Sequence, residues 1–66
     1  MNVPNSLRDR VLNIVIKKGN SFTSSDALQQ CRVEGLYLKM SYITIILNDL
    51  VRDGALLFDN NKFLVT

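Results

Sequence analysis

One uninterrupted apolar stripe restricts the fold of this chain more than any other feature of its sequence. Between Ser41 and Gly54, apolar residues recur with the i, i+3, i+4, i+7, i+8 spacing of a single helical face, namely Ile43, Ile46, Leu47, Leu50 and Val51. Ser41 is the predicted N-cap, and Gly54 the predicted end. In a chain of 66 residues the remaining segments must cover this stripe. We therefore expect one domain, residues 1–66, built around this helix.

Two shorter helices are predicted before it. Ser6 and Asp9 have the spacing of a capping box, so the first helix is expected over residues 6–18, ahead of Gly19. Its inward face would carry Leu7, Val11, Ile14 and Val15. A second helix is expected to begin at the capping pair Thr23 and Asp26, after a short extended piece, and to end near Gly35 with Ala27, Leu28 and Cys31 inward.

The C-terminal segment predicts a β-hairpin. Two apolar runs flank Asn60 and Asn61, and asparagine tolerates the positive φ angles that a two-residue hairpin turn requires. The predicted cross-strand pairs are Asp59 with Lys62, Phe58 with Phe63, Leu57 with Leu64, and Leu56 with Val65. Three helices followed by a hairpin give an α+β domain.

Composition argues against an enzyme. There is no histidine and one cysteine, and the six acidic residues are spread along the chain. Two of them, Asp49 and Asp53, are four residues apart on the third predicted helix, and this spacing is more typical of a solvent-exposed helix edge than of a metal site. Cys31 is expected to be a small buried apolar group. We expect no catalytic residue, no metal and no cofactor.

The sequence shows no recognisable targeting or transmembrane segment. Its apolar runs are far shorter than the roughly 20 residues that span a bilayer, and it begins without a signal-like segment. We therefore expect no membrane association and a cytoplasmic location. The formal net charge of +2 permits attraction to phosphate but only weakly indicates it.

The order of elements and one motif resemble the winged helix-turn-helix superfamily. The segment from Ser41 to Leu56 is similar to the family pattern S-x-V-x-x-x-L-x-x-L-x-x-x-G-x-L, with Ile43, Leu47 and Leu50 at core positions and Gly54 at the helix exit. The resemblance covers nearly the whole chain, whose size is similar to that of the small pilus-operon regulators. It implies a C-terminal hairpin wing and sequence-specific binding of double-stranded DNA, by a transcriptional regulator or an accessory factor.

In this reading the third helix enters the major groove and the wing contacts the backbone. Opposite the apolar stripe, at 100° per residue, lie the predicted contacts Ser41, Ile45, Asn48 and Arg52, with Tyr42 and Thr44 on the flanks. Asn48 is suited to an adenine edge, Ile45 and Thr44 to a thymine methyl, and Ser41, Tyr42 and Arg52 to the backbone. The alternative for each of these residues is that it belongs simply to a solvated face.

Further candidate contacts lie outside this face. The wing tip offers Asn60, Asn61 and Lys62, and Lys62 either contacts phosphate or pairs with Asp59. Lys39, like Lys17 and Lys18, either adds to a basic rim or serves solubility.

A protein-interaction module is the rival interpretation. Many family members carry Arg, Lys or Gln on the third helix, whereas here no basic residue lies between Met40 and Val51 and Asp49 lies near the face. An exposed Ile45 would then contact a protein partner, in an adaptor or an inhibitor.

A second apolar pair on the first helix, Leu12 and Ile16, faces away from its main stripe. It is covered either by the wing or by a second copy of the chain. We favour a homodimer through these two residues.

Overall fold

Three helices and three short strands are formed by the residues that the computed structural model describes, 4–19 and 21–65. In chain order they are α1 (Asn5–Ile16), β1 (Ser21–Phe22), α2 (Ser24–Val33), α3 (Met40–Arg52), β2 (Leu56–Asp59) and β3 (Lys62–Val65). The predicted α+β class is confirmed, and the arrangement is compatible with a winged-helix-like domain. Among the described helices none is long and apolar enough to cross a membrane.

The hairpin forms in the predicted register. Leu56, Leu57, Phe58 and Asp59 pair with Val65, Leu64, Phe63 and Lys62. At the turn Asn60 and Asn61 have φ angles of 51° and 62°, as a two-residue turn with both central residues at positive φ requires.

The sheet contains a third strand that the sequence did not assign to it. β1 pairs antiparallel with β3, through Ser21 with Leu64 and Phe22 with Phe63, so the strand order is β1-β3-β2. A two-residue strand has too little periodicity to predict its partner. The hairpin is thereby joined to the segment between the first two helices, and β3 becomes the central strand.

One of the three predicted helix caps is confirmed. The Thr23 N–H donates to Asp26 Oδ2 at 3.1 Å, and the Asp26 N–H donates to Thr23 Oγ1 at 3.2 Å. The backbone hydrogen bond from Thr23 is the largest cause of the lowered pKa of Asp26. Desolvation, the second-largest effect, opposes this shift, while the Thr23 side chain and the charges of Lys18 and Lys62 lower the pKa further.

The other two predicted caps are wrong. α1 begins one residue before Ser6, with Pro4 as its N-cap, and ends at Ile16 rather than at residue 18. α3 begins at Met40, so Ser41 already lies inside its first turn and Lys39 is the N-cap. Neither helix has a side-chain cap; the first turns bond instead to the carbonyl oxygens of Pro4 and Lys39, at 3.0–3.1 Å.

The core lies between the inner faces of the helices and the sheet. Its buried side chains include the predicted Val11, Ile14, Val15, Ala27, Cys31, Ile43, Ile46, Leu47, Leu50 and Leu56, together with Phe22 and Phe63. Predicted core residue Leu28 is half-buried and packs against them. Cys31 is completely buried, so the expectation of a small buried apolar group is confirmed. This burial raises the pKa of its thiol.

The predicted dimer pair divides between two environments. Leu12 is half-buried and packs against the core of its own chain, whereas Ile16 is 45% exposed. Leu12 thus has an intrachain partner, and only Ile16 offers a substantial apolar surface to a second copy. The homodimer stays a prediction.

Candidate nucleic-acid interface

The two sides of α3 differ sharply in burial. Ile43, Ile46, Leu47 and Leu50 anchor the inner side in the core. On the opposite side Ser41, Asn48 and Arg52 are exposed, as the helical periodicity predicts. These three side chains are separated by seven and four residues, so they follow one line along the helix surface.

The apolar members of this outward face are partly covered. Ile45 is half-buried rather than fully exposed, which corrects the sequence-based expectation. Thr44 is also half-buried, and its hydroxyl donates a hydrogen bond of 3.0 Å to the carbonyl oxygen of Met40, one turn earlier. The hydroxyl hydrogen is therefore used within the helix, leaving the oxygen lone pairs and the γ-methyl group for other contacts.

The side chains on the flanks of α3 are less accessible to a ligand than those on the exposed line. Tyr42 is half-buried and packs against the core, so much of its ring has a structural role. Asp49 is half-buried beside the exposed line. Within the outward face itself, Arg52 is the only charged side chain on the exposed line.

The wing tip presents three exposed polar side chains, Asn60, Asn61 and Lys62. Asp59 and Lys62 are cross-strand neighbours, but among the described residues the ion pairs join other side chains. The Lys62 ammonium therefore forms no ion pair with Asp59. Its positive charge contributes to the lowered pKa of Asp26 at the start of α2.

The ion pairs also show which cations are already engaged. Arg8 contacts Asp53 at 2.6 Å and Asn5 at 2.9 Å, joining the start of α1 to the end of α3. Lys17 contacts Glu34 at 3.1 Å. Lys39 and Arg52, at the two ends of α3, are exposed and make neither of these contacts.

Sequence reasoning missed two features of this surface. The hydrogen bond from Thr44 to Met40 has a signal in the sequence, since threonine inside a helix commonly bonds to the carbonyl four residues earlier. The Arg8–Asp53 pair joins residues 45 positions apart and has no comparable signal.

In the part of the chain that the structure describes, no three cysteine or acidic side chains lie close enough together to hold a metal ion. What the surface offers is an amide, hydroxyls, small apolar groups and cations at its ends. No protein-family model matches the chain, and neither a curated protein nor a solved structure matches it.

Proposed function

We propose that this chain binds double-stranded DNA as a winged helix, with α3 in the major groove and the β2–β3 hairpin on the backbone. The observation that supports this most is the two-sided burial of α3. Four apolar side chains fix its inner side in the core, while Ser41, Asn48 and Arg52 form an exposed polar line on the other. The major groove, about 12 Å wide, admits one α-helix in this manner.

The exposed cations support the same orientation. Lys39 precedes α3, Arg52 ends it, and the helix of 13 residues has a length of about 20 Å. Cations at both ends of a groove-bound helix are suited to the phosphates that border the groove. Lys62 at the wing tip adds a third contact from another element. The same proposal includes a role in transcription, as a regulator or an accessory factor.

Fluorescence anisotropy with a labelled random duplex, over a range of salt concentrations, tests the proposal. If Lys39, Arg52 and Lys62 each displace counterions, log K falls with log salt with a slope of about −3 per protomer. Arg52→Gln should make that slope less steep by about one. Arg10→Gln is the matched control, because Arg10 is an exposed arginine on α1. No binding at low salt, or equal effects of the two variants, contradicts the proposal.

A protein-interaction module is the second candidate, and one observation favours it. Ile45 is an apolar, partly accessible side chain on a face whose exposed line carries a single charge. A partner protein would bury this residue in a contact that depends little on salt. If the chain fails to bind duplex DNA at low salt, and Ile45→Asp abolishes a complex with a purified protein partner, this function replaces the first.

A further inference from the structure

The outward face of α3 lacks the side chains that most often read guanine. Guanine presents two acceptors, O6 and N7, in the major groove, and arginine or lysine is their commonest partner. Both cations near α3 lie at its ends, Lys39 before the first turn and Arg52 in the last. Between them the outward face offers hydroxyl, amide and aliphatic groups, with the half-buried carboxylate of Asp49 beside the exposed line. The middle of the helix therefore has no cation for a G·C pair.

The groups that are present match the other base pair. Asn48 is exposed in the middle of the face, and its amide can donate to adenine N7 while accepting from adenine N6. Ile45 offers a partly accessible aliphatic surface one turn earlier. The Thr44 hydroxyl hydrogen is occupied by the Met40 carbonyl, which leaves its γ-methyl group as a candidate apolar contact. Aliphatic groups are suited to the C5-methyl group of thymine.

We propose that α3 selects A·T pairs in the major groove, with Asn48 reading adenine and with Ile45 and Thr44 contacting thymine methyl groups. This inference rests on the proposed DNA-binding function and specifies its ligand. Selection comes from these three side chains, while Lys39, Arg52 and Lys62 contribute affinity that is common to all duplexes.

Four duplexes of equal length and identical flanks test the inference by anisotropy at one low salt concentration. Their central blocks contain mixed A·T pairs, A·U pairs, G·C pairs or inosine·C pairs. Uracil lacks the thymine methyl group, and inosine·C presents a G·C-like major groove without the guanine amino group in the minor groove. Mixed A·T order avoids A-tracts, whose narrow minor groove attracts cations by itself.

The A·T duplex should bind most tightly. Replacing thymine by uracil should weaken binding about threefold to fourfold for each methyl group contacted. The G·C and inosine·C duplexes should both bind about tenfold more weakly, or worse, because each mismatched pair removes base contacts.

Two variants assign the selection to residues. Ile45→Ala should reduce the difference between the thymine and uracil duplexes, whereas Val33→Ala, at an exposed β-branched residue of α2, should preserve it. Asn48→Ala should reduce the preference for A·T over G·C about tenfold, whereas Asn13→Ala, at an exposed asparagine of α1, should not.

The outcomes separate this inference from the function on which it rests. Equal, salt-dependent binding to all four duplexes overturns the A·T selection and leaves DNA binding in place. Inosine·C binding as tightly as A·T also overturns it, because the reading then occurs in the minor groove. Absence of binding to every duplex overturns the proposed function itself.

Discussion

Replacing Leu47 by alanine removes a side chain from the inner side of α3, where it is fully buried among the core residues. A buried Leu→Ala substitution costs about 2–5 kcal/mol, from lost transfer free energy and from the cavity that remains. Leu47 has 0% exposure, so no part of the lost side chain was already in water. The expected cost is therefore in the middle or the upper half of that range.

The size of the chain makes this loss severe. A domain of 66 residues has a free energy of unfolding of about 3–10 kcal/mol. Its unfolding entropy near the midpoint is about 0.14 kcal/mol per degree, so a cost of about 3.5 kcal/mol corresponds to a drop in Tm of about 25 °C. Thermal unfolding followed by circular dichroism at 222 nm measures this shift directly.

Val33→Ala is the matched control, because Val33 is 68% exposed on α2 and its truncation should move Tm by no more than a few degrees. A Leu47→Ala variant that unfolds cooperatively within a few degrees of the wild type would show that this side chain is not part of the stabilising core. Equal shifts in the two variants would refute the burial argument as well.

Three further predictions concern local features. At the hairpin turn φ of Asn61 is 62°, so Asn61→Gly should leave Tm unchanged or raise it. Asn61→Val should lower Tm, since β-branched residues avoid positive φ. Equal Tm values for the two variants would contradict the turn geometry. A double-mutant cycle with Arg8→Ala and Asp53→Ala should give a coupling free energy of about 0.5–1 kcal/mol. Because Asp53 is half exposed, this coupling should decrease with salt. Zero coupling at low salt would show that the ion pair does not contribute to stability. The lowered pKa of Asp26 makes its carboxylate stabilising above its ordinary value of 3.8, and this contribution is lost as the pH falls through the lowered pKa. Asp26→Asn should therefore lower Tm at neutral pH, and the difference from the wild type should disappear in acid.

Local periodicity explains why so much of the fold was predictable. The stripe of α3 fixes its buried side, and the positive φ angles accepted by Asn60 and Asn61 fix the hairpin register. Both are properties of neighbouring residues in the chain. Thr23 and Asp26 likewise cap α2 as predicted, because a capping box is decided within four residues.

Features that depend on distant segments were not predictable in the same way. The pairing of β1 with β3 and the Arg8–Asp53 contact require the final arrangement of the domain. The caps of α1 and α3 failed for a related reason. A serine marks a helix start only when no earlier residue continues the helix, and here each helix begins one residue before its serine, at Asn5 and Met40.

The same distinction applies to the candidate site. Periodicity alone gives the direction in which Asn48 and Arg52 point, because the buried stripe of α3 leaves only one opposite side. Periodicity does not give the burial of side chains at the edges of that face, where Ile45 is half-buried and Tyr42 packs against the core. Cover at those edges depends on neighbouring elements. Asn48 is therefore the position at which loss of the proposed base contact can be separated most cleanly from loss of stability, because its side chain is exposed and outside the core.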